Sequence, residues 1–383
     1  MKILHAITSL DKGGAENHLS ILSSEQAKKN NLVKIFISKN SFYWLKYLKR
    51  NKIKVIKSKY FNEKNLIYKL IKLISDIYSL KKILEKFKPE ILHAHLPYME
   101  IVSFFCIYLS SHKPKFIISK HVDNVFFKGS EGQKKNILGS FLVRIIAKKT
   151  LKIIAISKAV KFFLISSHVG LDPSKIKVIY YGINNLSLLS NTQKKYISPY
   201  KKKNKDEIIL GCIARLVPQK SIDNIIRSIH ELKNKNVKLF IVGRGPLKNQ
   251  LISLTKELKI ENQIFWIEFV DDLKNFYKSI DIFVLTSHYE GLGLVFLEAM
   301  LSKKPVICSN LSAMPEIIKN NYNGLLVKPN NPILLSKSIK LLYDISLRKK
   351  LSFNGYLFVK KNFSVKKMYS ETINVYKNEK KKI

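Results

Sequence analysis

The stretch Ile280–Met300, "IDIFVLTSHYEGLGLVFLEAM", contains in order a strand, a loop and the start of a helix. Its first part is a short apolar run, which is typical of a buried strand in a parallel sheet. Two glycines, Gly291 and Gly293, then break the run, and a helix is expected to begin near Leu294. A strand followed at once by a helix is the repeating unit of parallel α/β folds.

The same alternation of apolar runs and helical stretches continues through the chain. In the first half the predicted strands are KILHAIT, VKIFIS, ILHAH, KFIISKH, KIIAIS and KVIYY. In the second half they are IILGCIA, VKLFIVG, QIFWI, IDIFVLT and KPVICS, with GLLV as a shorter candidate. A polar, lysine-rich segment over 191–207, which carries Pro199, separates the two halves.

Two successive α/β halves predict two Rossmann-like, doubly wound parallel-sheet domains that face each other across a cleft. In such sheets ligands bind outside the carboxyl ends of the strands, so the ligands of both domains are expected in that cleft. The predicted division is an N-terminal domain over 1–188, a linker or surface insertion over 189–207, a C-terminal domain over 208–360 and a final helix over 361–383 that crosses back to the N-terminal domain.

Positive charge dominates the composition of the 383 residues, with a net charge of +42 at pH 7. Such a charge favours anionic partners, among them phosphate groups, nucleic acid and an acidic membrane surface. Only six of the 69 basic residues are arginine, a pattern equally typical of a lysine-biased genome with solvated surface lysines. Both interpretations stay open. The hydrophobic fraction of 46% is ample for packed cores and argues against a disordered chain.

The three cysteines, Cys106, Cys212 and Cys308, lie far apart in apolar stretches and form no CxxC pair. We therefore expect buried free thiols in a reducing cytoplasm. The longest apolar run, Ile101–Ser111, is shorter than the roughly 20 residues that a membrane-spanning helix needs. The expected location is the cytoplasm, with peripheral attachment to the inner face of the cytoplasmic membrane left open.

Two loops at predicted strand ends have the residue types that bind phosphate groups. Gly13 and Gly14 follow the first strand and precede a helix, whose first N–H groups lack partners and attract anions. Arg215 and Lys220 follow the first strand of the second half, and a guanidinium with an ammonium suits a diphosphate. The chain has neither a G-x-G-x-x-G fingerprint nor a P-loop motif, which argues against a dinucleotide enzyme and a P-loop nucleotidase.

Glycines and acids follow later strands of the second half. Gly243 and Gly245, in IVGRGP, would let the backbone approach a flat ligand. Glu298 lies about one turn into the helix near Leu294, where its carboxylate would accept hydrogen bonds from ribose hydroxyls. Glu290, before the turn, would contact sugar hydroxyls on the ligand's other side. Stabilisation of the helix start by acidic side chains is the alternative explanation of both glutamates.

Three histidines lie at the ends of predicted strands. His93 and His95 end one strand on the same side, and His121 ends the following strand. An imidazole beside a phosphate site can donate a hydrogen bond to a leaving oxygen. The spacing of His93 and His95 also suits metal ligands, but no third ligand is near them in the sequence, and we expect no metal site.

The ordered set of motifs resembles the retaining glycosyltransferases of family 4, which have the two-domain GT-B fold. The resemblance covers nearly the whole chain and rests on GGAENH, HAH, SKH, AISKAV, VIYYGI, IARLVPQKS, VGRGP, EGLGLVFLEAM and KPVICS followed by PEII and NGLLV. It implies transfer of a sugar from a UDP-, GDP- or ADP-linked donor to a glycan or lipid-linked acceptor. The family's commonest use is the synthesis of cell-envelope polysaccharide or lipopolysaccharide.

The resemblance also implies roles for the matching residues. Glu298 would bind the donor ribose, and Arg215 with Lys220 would bind the donor diphosphate. His121, near the leaving phosphate, and Glu290, at the transferred sugar, would be the catalytic residues. Further donor contacts would come from Gly13, Gly14, Gly243, Gly245, Gly293, Leu294 and Val295.

The first domain would hold the acceptor, for which Glu16 and His95 are the candidate contacts. The resemblance implies no cofactor and no metal, and the sugar would keep its anomeric configuration. The chain departs from the family pattern at Asn184, where an aspartate is frequent, and at Lys303, where a small residue is usual. These departures concern loop contacts.

Two other functions fit part of the sequence. A non-hydrolysing nucleotide-sugar epimerase shares the two-domain fold. A nucleic-acid-binding protein would fit the charge, but no basic–aromatic RNP pattern or zinc-finger spacing occurs, so no nucleic-acid partner is expected. The lysine-rich helical segment Asn65–Lys88 would either lie on an anionic membrane or pack on the sheet with its lysines in water.

Overall fold

The computed structural model of the chain describes residues 1–40, 43–59, 65–121, 137–166, 169–183, 196–202 and 206–377. The chain divides into two compact units, each built on one parallel sheet. The first unit consists of Met1–Gly182 together with Val365–Ile383, and the second consists of Ile183–Ser364. The predicted pair of Rossmann-like, doubly wound α/β domains is therefore confirmed.

The sheet of the first unit has seven parallel strands in the spatial order β3-β2-β1-β4-β5-β6-β7. These strands are β1 (Lys2–Ile7), β2 (Leu32–Ile37), β3 (Lys54–Lys57), β4 (Ile91–His95), β5 (Lys115–Lys120), β6 (Lys152–Ala155) and β7 (Ile176–Val178). The helices are α1 (Gly14–Lys28), α2 (Leu45–Arg50), α3 (Leu66–Phe87), α4 (Pro97–Leu109), α5 (Ile137–Lys149), α6 (Lys158–Ile165) and, from the end of the chain, α14 (Val365–Lys377). The order along the chain reverses between β1 and β4, so a crevice is expected at their carboxyl ends.

The sheet of the second unit has six parallel strands in the order β10-β9-β8-β11-β12-β13. These strands are β8 (Ile208–Ile213), β9 (Val237–Val242), β10 (Ile264–Ile267), β11 (Ile282–Leu285), β12 (Val306–Ser309) and β13 (Leu325–Val327). The helices are α7 (Ile222–Leu232), α8 (Lys248–Glu257), α9 (Leu273–Ser279), α10 (Leu294–Leu301), α11 (Met314–Ile317), α12 (Pro332–Leu341) and α13 (Ile345–Asn362). Here the order reverses between β8 and β11.

The central strands are apolar because both faces of each sheet are covered. Every residue of β4, β11 and β12 is buried. The three cysteines are buried free thiols, as expected. None of the helices in the described ranges is both long enough and apolar enough to cross a membrane.

The last helix, α14, belongs to the first unit and packs against α1. The boundaries between the units fall after Gly182 and after Ser364. Asn184 and most of the predicted linker, residues 189–207, lie outside the described residues, as do residues 378–383. The extents of the linker and of the final helix therefore stay predictions.

Candidate functional site

In the second unit, the loops after β8 and β11 lie side by side because these strands are neighbours in the sheet. The side-chain amide of Gln219 donates to the carbonyl of Tyr289 over 2.8 Å. The backbone N–H of His288 donates to the carbonyl of Gln219, also over 2.8 Å. These bonds join the two loops and bring Lys220 next to Glu290, although the two residues are far apart in the sequence.

The ammonium of Lys220 lies 2.7 Å from Oε1 of Glu290, and their side chains are only 13% and 11% exposed. The hydroxyl of Ser287 donates to the same carboxylate oxygen over 2.8 Å. The hydroxyl of Ser312 donates to the backbone carbonyl of Glu290 over 2.9 Å. These contacts hold the Glu290 carboxylate in one orientation beside a cation at the carboxyl edge of the sheet.

The start of α10 follows directly on this loop. Gly293 has the left-handed φ of +81°, and a Cβ atom there would lie 2.5 Å from a ring carbon of Phe296, so the position requires glycine. The first N–H groups of α10, at Leu294 and Val295, have no acceptor within the helix. Unpaired N–H groups at a helix start attract anions.

Glu298 is buried within α10. The hydroxyl of Tyr277 lies 3.2 Å from Oε2 of Glu298 and 3.2 Å from the carbonyl of Val295. Burial raises the pKa of Glu298 to about 7, against the lowering effect of the hydrogen bond from Tyr277. The hydrogen bond from Tyr277 therefore does not offset the burial of the ionised carboxylate, and hydroxyls of a ligand would stabilise it further.

The remaining candidates of the second unit differ in their surroundings. Arg215 is exposed and forms no ion pair with the residues that the structure describes. A Cβ atom on Gly243 would lie 1.8 Å from the carbonyl oxygen of Ala214, and one on Gly245 would lie 2.3 Å from that of Leu216. The close approach that both glycines permit is thus to the loop after β8. A contact of these glycines with a donor stays a prediction.

In the first unit, α1 begins at Gly14, directly after the extended residue Gly13. A Cβ atom on Gly13 would lie 2.2 Å from Oε2 of Glu16, so this glycine leaves room for a carboxylate folded back over the helix start. The hydroxyl of Ser9 donates to Oε1 of Glu16 over 3.3 Å. Burial raises the pKa of Glu16, against the lowering effect of its hydrogen bonds.

The first unit also buries a group of neighbouring histidines, namely His5, His18, His93, His95 and His121. His5 of β1 is paired in register with His93 of β4, and His95 follows on the same face of β4. Burial lowers the pKa of His5 to about 4 and that of His121 to about 3. Burial also lowers the pKa of the other three rings well below its ordinary value. All five imidazoles are therefore neutral at pH 7.

The ring nitrogens of His95 and His121 are already used inside the unit. Nδ1 of His95 lies 3.1 Å from Nε2 of His121, and Nε2 of His95 lies 3.1 Å from Nδ1 of His5. Nδ1 of His121 lies 2.5 Å from the hydroxyl of Tyr181. His95 has no exposed surface, so the predicted direct contact with an acceptor does not fit its position.

The structure places a third imidazole beside His93 and His95, contrary to the expectation from the sequence. Ring nitrogens of His5, His93 and His95 lie within 4.8 Å of one another, a spacing that would suit one metal ion. However, both ring nitrogens of His93 already have partners, the hydroxyls of Tyr376 and Ser119, each at 2.7 Å. A metal would have to displace these bonds, and the absence of a metal site stays a prediction.

Several residues of these sites are not predicted from the sequence, namely His5, His18, Gln26, Tyr181, Tyr277 and Tyr376. Of these residues, Tyr181 lies in the motif VIYYGI and His18 ends the motif GGAENH. In the second unit the structure brings together Lys220, Glu290 and the start of α10, and their role in donor binding stays a prediction. In the first unit it brings His95 and His121 into one buried cluster.

Known protein families match both units. The family described as Glycosyl transferases group 1 matches residues 193–358, and the one described as Glycosyltransferase Family 4 matches residues 12–185. An uncharacterized glycosyltransferase of Methanocaldococcus jannaschii is 32% identical over 283 residues, which cover 71% of this chain and 70% of that protein. The chain belongs to the group 1 glycosyltransferases and is family 4-like.

Two further proteins resemble this glycosyltransferase. The capsular polysaccharide biosynthesis glycosyltransferase CapM of Staphylococcus aureus is 27% identical over 316 residues, which cover 80% of this chain and 82% of CapM. The crystal structure of Anabaena Alr3699/HepE in complex with UDP-glucose has a TM-score of 0.78, with 18% identity over 98% of each chain. This likeness shows the GT-B fold.

Glu298 is expected to make the stability of the second unit depend on pH. Burial raises its pKa from an ordinary 4.5 to about 7, so between these values the folded state binds more protons than the unfolded state. The free energy of unfolding should therefore fall as the pH rises from 4.5 to 7. Because the glutamine cannot ionise, Glu298→Gln should remove this fall, which is on the order of 3 kcal/mol.

Urea unfolding at pH 5 and pH 8, followed by the fluorescence of Trp266 in β10, measures this difference. Glu257→Gln, an exchange at an exposed glutamate of α8, is the control and should keep the pH dependence of the wild type. The same pH dependence in wild type and Glu298→Gln would contradict the assignment.

Proposed function

We propose that this glycosyltransferase moves a hexose from a nucleotide-sugar to a glycan or lipid-linked acceptor with retention of the anomeric configuration. The observation that carries the proposal is the Lys220–Glu290 ion pair beside the start of α10, with Glu298 buried one turn further on. A cation, unpaired N–H groups and two carboxylates are the groups that a sugar linked to a diphosphate requires.

The donor diphosphate would be bound by Arg215 and Lys220 and by the N–H groups of Leu294 and Val295. Negative charge builds on this leaving group as the glycosidic bond breaks. Donors aimed at that charge accelerate the reaction if they bind it more tightly in the transition state than in the ground state. We propose that these groups supply the whole neutralisation and that no divalent metal is required.

The two carboxylates would bind the two sugars of the donor. Glu298 would accept hydrogen bonds from the ribose hydroxyls, which would stabilise its ionised form against the effect of burial. Among the described residues, the contacts of the Glu290 carboxylate are made through Oε1, to Lys220 and Ser287. Its Oε2 is then left to accept from a hydroxyl of the transferred sugar.

In the first unit, the start of α1 at Gly13 and Gly14 would contact the diphosphate, with His121 near the leaving phosphate. We assign the acceptor contact to Glu16 and not to His95, because Glu16 lies at the helix start and His95 has no exposed surface. The raised pKa of Glu16 suits a carboxyl group that exchanges a proton with an acceptor hydroxyl.

Thermal unfolding with UDP, GDP, ADP and their sugar conjugates tests the donor site. One of the bases should stabilise the chain by about 2.7 kcal/mol at 100 times its dissociation constant. EDTA should leave this shift unchanged. Glu298→Ala and Lys220→Met should weaken it, whereas Lys256→Met, which removes an exposed lysine of α8, should not. No stabilisation by any of these compounds would refute the donor site.

The stereochemistry of the product tests the proposed reaction independently of donor affinity. Proton NMR of the transferred sugar should show the same anomeric configuration as in the donor. Glu290→Gln should lower the rate at which the glycosylated product forms, because the amide is a weaker acceptor for the sugar hydroxyl and for Lys220. A product of inverted configuration would exclude retention.

The acceptor is proposed from the names of similar proteins. CapM of Staphylococcus aureus is a capsular polysaccharide biosynthesis glycosyltransferase, which supports a cell-envelope polysaccharide as the product of this chain. Acceptors of this kind are frequently carried on membrane lipids. We therefore propose that the first unit binds the anionic surface of a membrane.

Helix α3 combines lysines with apolar residues, and its orientation, with many of its apolar side chains exposed, supports binding to a membrane surface. Its inner side carries a buried ion pair between Lys72 and Asp76 (3.1 Å), and Lys72 also donates to the carbonyl of Ser38 over 2.9 Å. Its outer side leaves large apolar side chains exposed, namely Ile67, Tyr68, Leu70, Ile71, Ile74 and Tyr78. Exposed apolar residues flanked by lysines are typical of helices that lie in a membrane interface.

Lysines accompany this apolar face. Lys69, Lys82 and Lys86 of α3 are exposed. The neighbouring helix α4, which packs on α3, exposes Phe105, Tyr108 and Leu109. The two helices thus combine apolar area with positive charge, which complements an anionic lipid surface.

Sedimentation with lipid vesicles tests the membrane surface. The chain should bind vesicles containing phosphatidylglycerol more strongly than vesicles of phosphatidylcholine alone. Lys69→Glu should weaken the binding by about fivefold or more, since one lysine near the surface contributes about 1 kcal/mol. Ile71→Ser with Ile74→Ser should weaken binding through loss of apolar burial.

The control for the apolar exchanges is Ile333→Ser with Leu334→Ser, because these exposed residues lie on α12 of the second unit. This control should bind vesicles like the wild type. Equal binding to both kinds of vesicle, or equal losses in the two double variants, would rule out α3 as the membrane surface.

A further inference from the structure

A continuous line of hydrogen bonds crosses the interior of the first unit, and we call it the histidine chain. Its members, in order, are Tyr181, His121, His95, His5, Gln26, Tyr376, His93 and Ser119. All of them are buried. The members come from β1, α1, β4, β5, α14 and the segments that follow β5 and β7.

The first half of the histidine chain runs from Tyr181 to Gln26. The hydroxyl of Tyr181 contacts Nδ1 of His121 at 2.5 Å. Nε2 of His121 contacts Nδ1 of His95, and Nε2 of His95 contacts Nδ1 of His5, each at 3.1 Å. Nε2 of His5 then contacts Oε1 of Gln26 at 2.8 Å. Each of these rings thus contacts the preceding member through Nδ1 and the following member through Nε2.

The second half continues from the amide of Gln26. Its Nε2 donates to the hydroxyl oxygen of Tyr376 over 3.3 Å. The hydroxyl of Tyr376 contacts Nδ1 of His93 at 2.7 Å, and Nε2 of His93 contacts Oγ of Ser119 at 2.7 Å. The ring of His93 therefore also contacts the preceding member through Nδ1 and the following member through Nε2.

Because the rings are neutral, all hydrogen bonds of the histidine chain must be donated in the same direction along the line. A neutral imidazole carries one proton and so has one donor nitrogen and one acceptor nitrogen. If one ring donates through Nε2, its neighbour must accept at Nδ1 and donate through its own Nε2. A ring with the other tautomer would bring two donors or two acceptors together, which leaves a buried polar atom unsatisfied.

Gln26 selects one of the two directions. Its Oε1, which only accepts, faces His5, so the proton of His5 is on Nε2. His95 and His121 must then also carry their protons on Nε2, and Tyr181 donates to His121. Rotation of the Gln26 amide by half a turn would present its N–H groups to His5 and would reverse every bond of the line.

We propose that Gln26 and Tyr376 are positioning residues that hold His121, through the histidine chain, in its Nε2-protonated tautomer. Tyr376 contributes because its hydroxyl lies between Nε2 of Gln26 and Nδ1 of His93, so it couples the orientation of the amide to the tautomer of His93 and joins the two halves of the line. The consequence for glycosyl transfer rests on the proposed function and passes through Tyr181, because both ring nitrogens of His121 have partners inside the unit.

The tautomer of His121 in turn fixes the hydrogen-bonding role of Tyr181. In the direction inferred from Gln26 the proton of Tyr181 is directed at His121, so the oxygen of Tyr181 is left to accept from a group outside the histidine chain. In the reversed direction Tyr181 would accept from His121 and would offer its own proton. The ring of Tyr181 stacks on His18 of α1 with centroids 4.4 Å apart. The hydroxyl whose role changes with the tautomer therefore belongs to a residue that packs on the helix beginning at Gly14.

Nitrogen-15 NMR of the full chain labelled in histidine tests the tautomers directly, without any substrate. His5, His93, His95 and His121 should all show a protonated Nε2 and an unprotonated Nδ1 at pH 7. Any one of these rings with its proton on Nδ1 would overturn the proposal. This measurement needs no variant and does not depend on the proposed enzymatic activity.

Two matched variants of α14 test the role of Tyr376. Tyr376→Phe removes the hydroxyl between Gln26 and His93, so both directions should become populated and His121 should show both tautomers. Tyr369→Phe removes a hydroxyl of the same helix that lies 3.4 Å from Asn31 and outside the histidine chain, and it should leave the spectrum unchanged. An unchanged His121 signal in Tyr376→Phe would refute the positioning role.

Kinetics connect the tautomer to the reaction. Tyr376→Phe should lower kcat by about twofold or more with little change in KM, because the rate follows the fraction of molecules in the competent tautomer. Tyr369→Phe should retain the kcat of the wild type. A wild type with the predicted tautomers but without transfer activity would contradict the proposed function and leave the histidine chain intact.

Zinc distinguishes the histidine chain from a metal site at His5, His93 and His95. One equivalent of Zn²⁺ should leave the four tautomer signals unchanged. Stoichiometric loss or shift of the signals of these three rings would show that the metal displaces the hydrogen bonds, and that result would overturn the proposal.

Discussion

Both units depend on one constraint of parallel sheets, which is that every strand ends at the same edge. Where the strand order reverses, the chain segments after two neighbouring strands lead to opposite faces of the sheet, and a crevice forms at the carboxyl ends of these strands. In the second unit this occurs between β8 and β11, where the Lys220–Glu290 ion pair joins the two loops. In the first unit it occurs between β1 and β4, where Gly13 follows β1 and where His5, His93 and His95 lie on the two strands.

Local sequence patterns predict most of the fold because they are set by neighbouring residues. Runs such as ILHAH and IDIFVLT are strands in the structure, whereas β3 (Lys54–Lys57) is missed because its four residues are half lysine and lie beside further lysines. The glycine turn and α10 are likewise local, so the positions of Glu290 and Glu298 relative to the helix start follow from the sequence.

Contacts between distant strands are not contained in such patterns. The approach of Lys220 to Glu290 requires β8 and β11 to be neighbours, and the approach of His5 to His93 requires the register of β1 and β4. His5 lies in KILHAI, which is typical of an ordinary buried strand. Gly243 likewise makes a contact that its own sequence does not predict, since it approaches the backbone of Ala214, while its contact with a donor stays a prediction.

The high lysine content is also only partly a surface property. Lys120 forms a buried ion pair with Glu100 over 2.5 Å, and Lys72 forms one with Asp76, so some cations hold elements of the first unit together. Such pairs offset the cost of removing both charges from water. On α3 this arrangement places a charged pair inside and apolar side chains outside, which a simple pattern of polar and apolar residues would assign the other way round.

The assignment of α14 to the first unit has a consequence for biosynthesis. Domains generally fold as the ribosome releases them, with the N-terminal domain first. Here the N-terminal unit is discontinuous, since Tyr376 supplies the hydroxyl that contacts Nδ1 of His93. The polar interior of the first unit is therefore completed only after the whole second unit has been translated, so of the two units the one begun first is finished last.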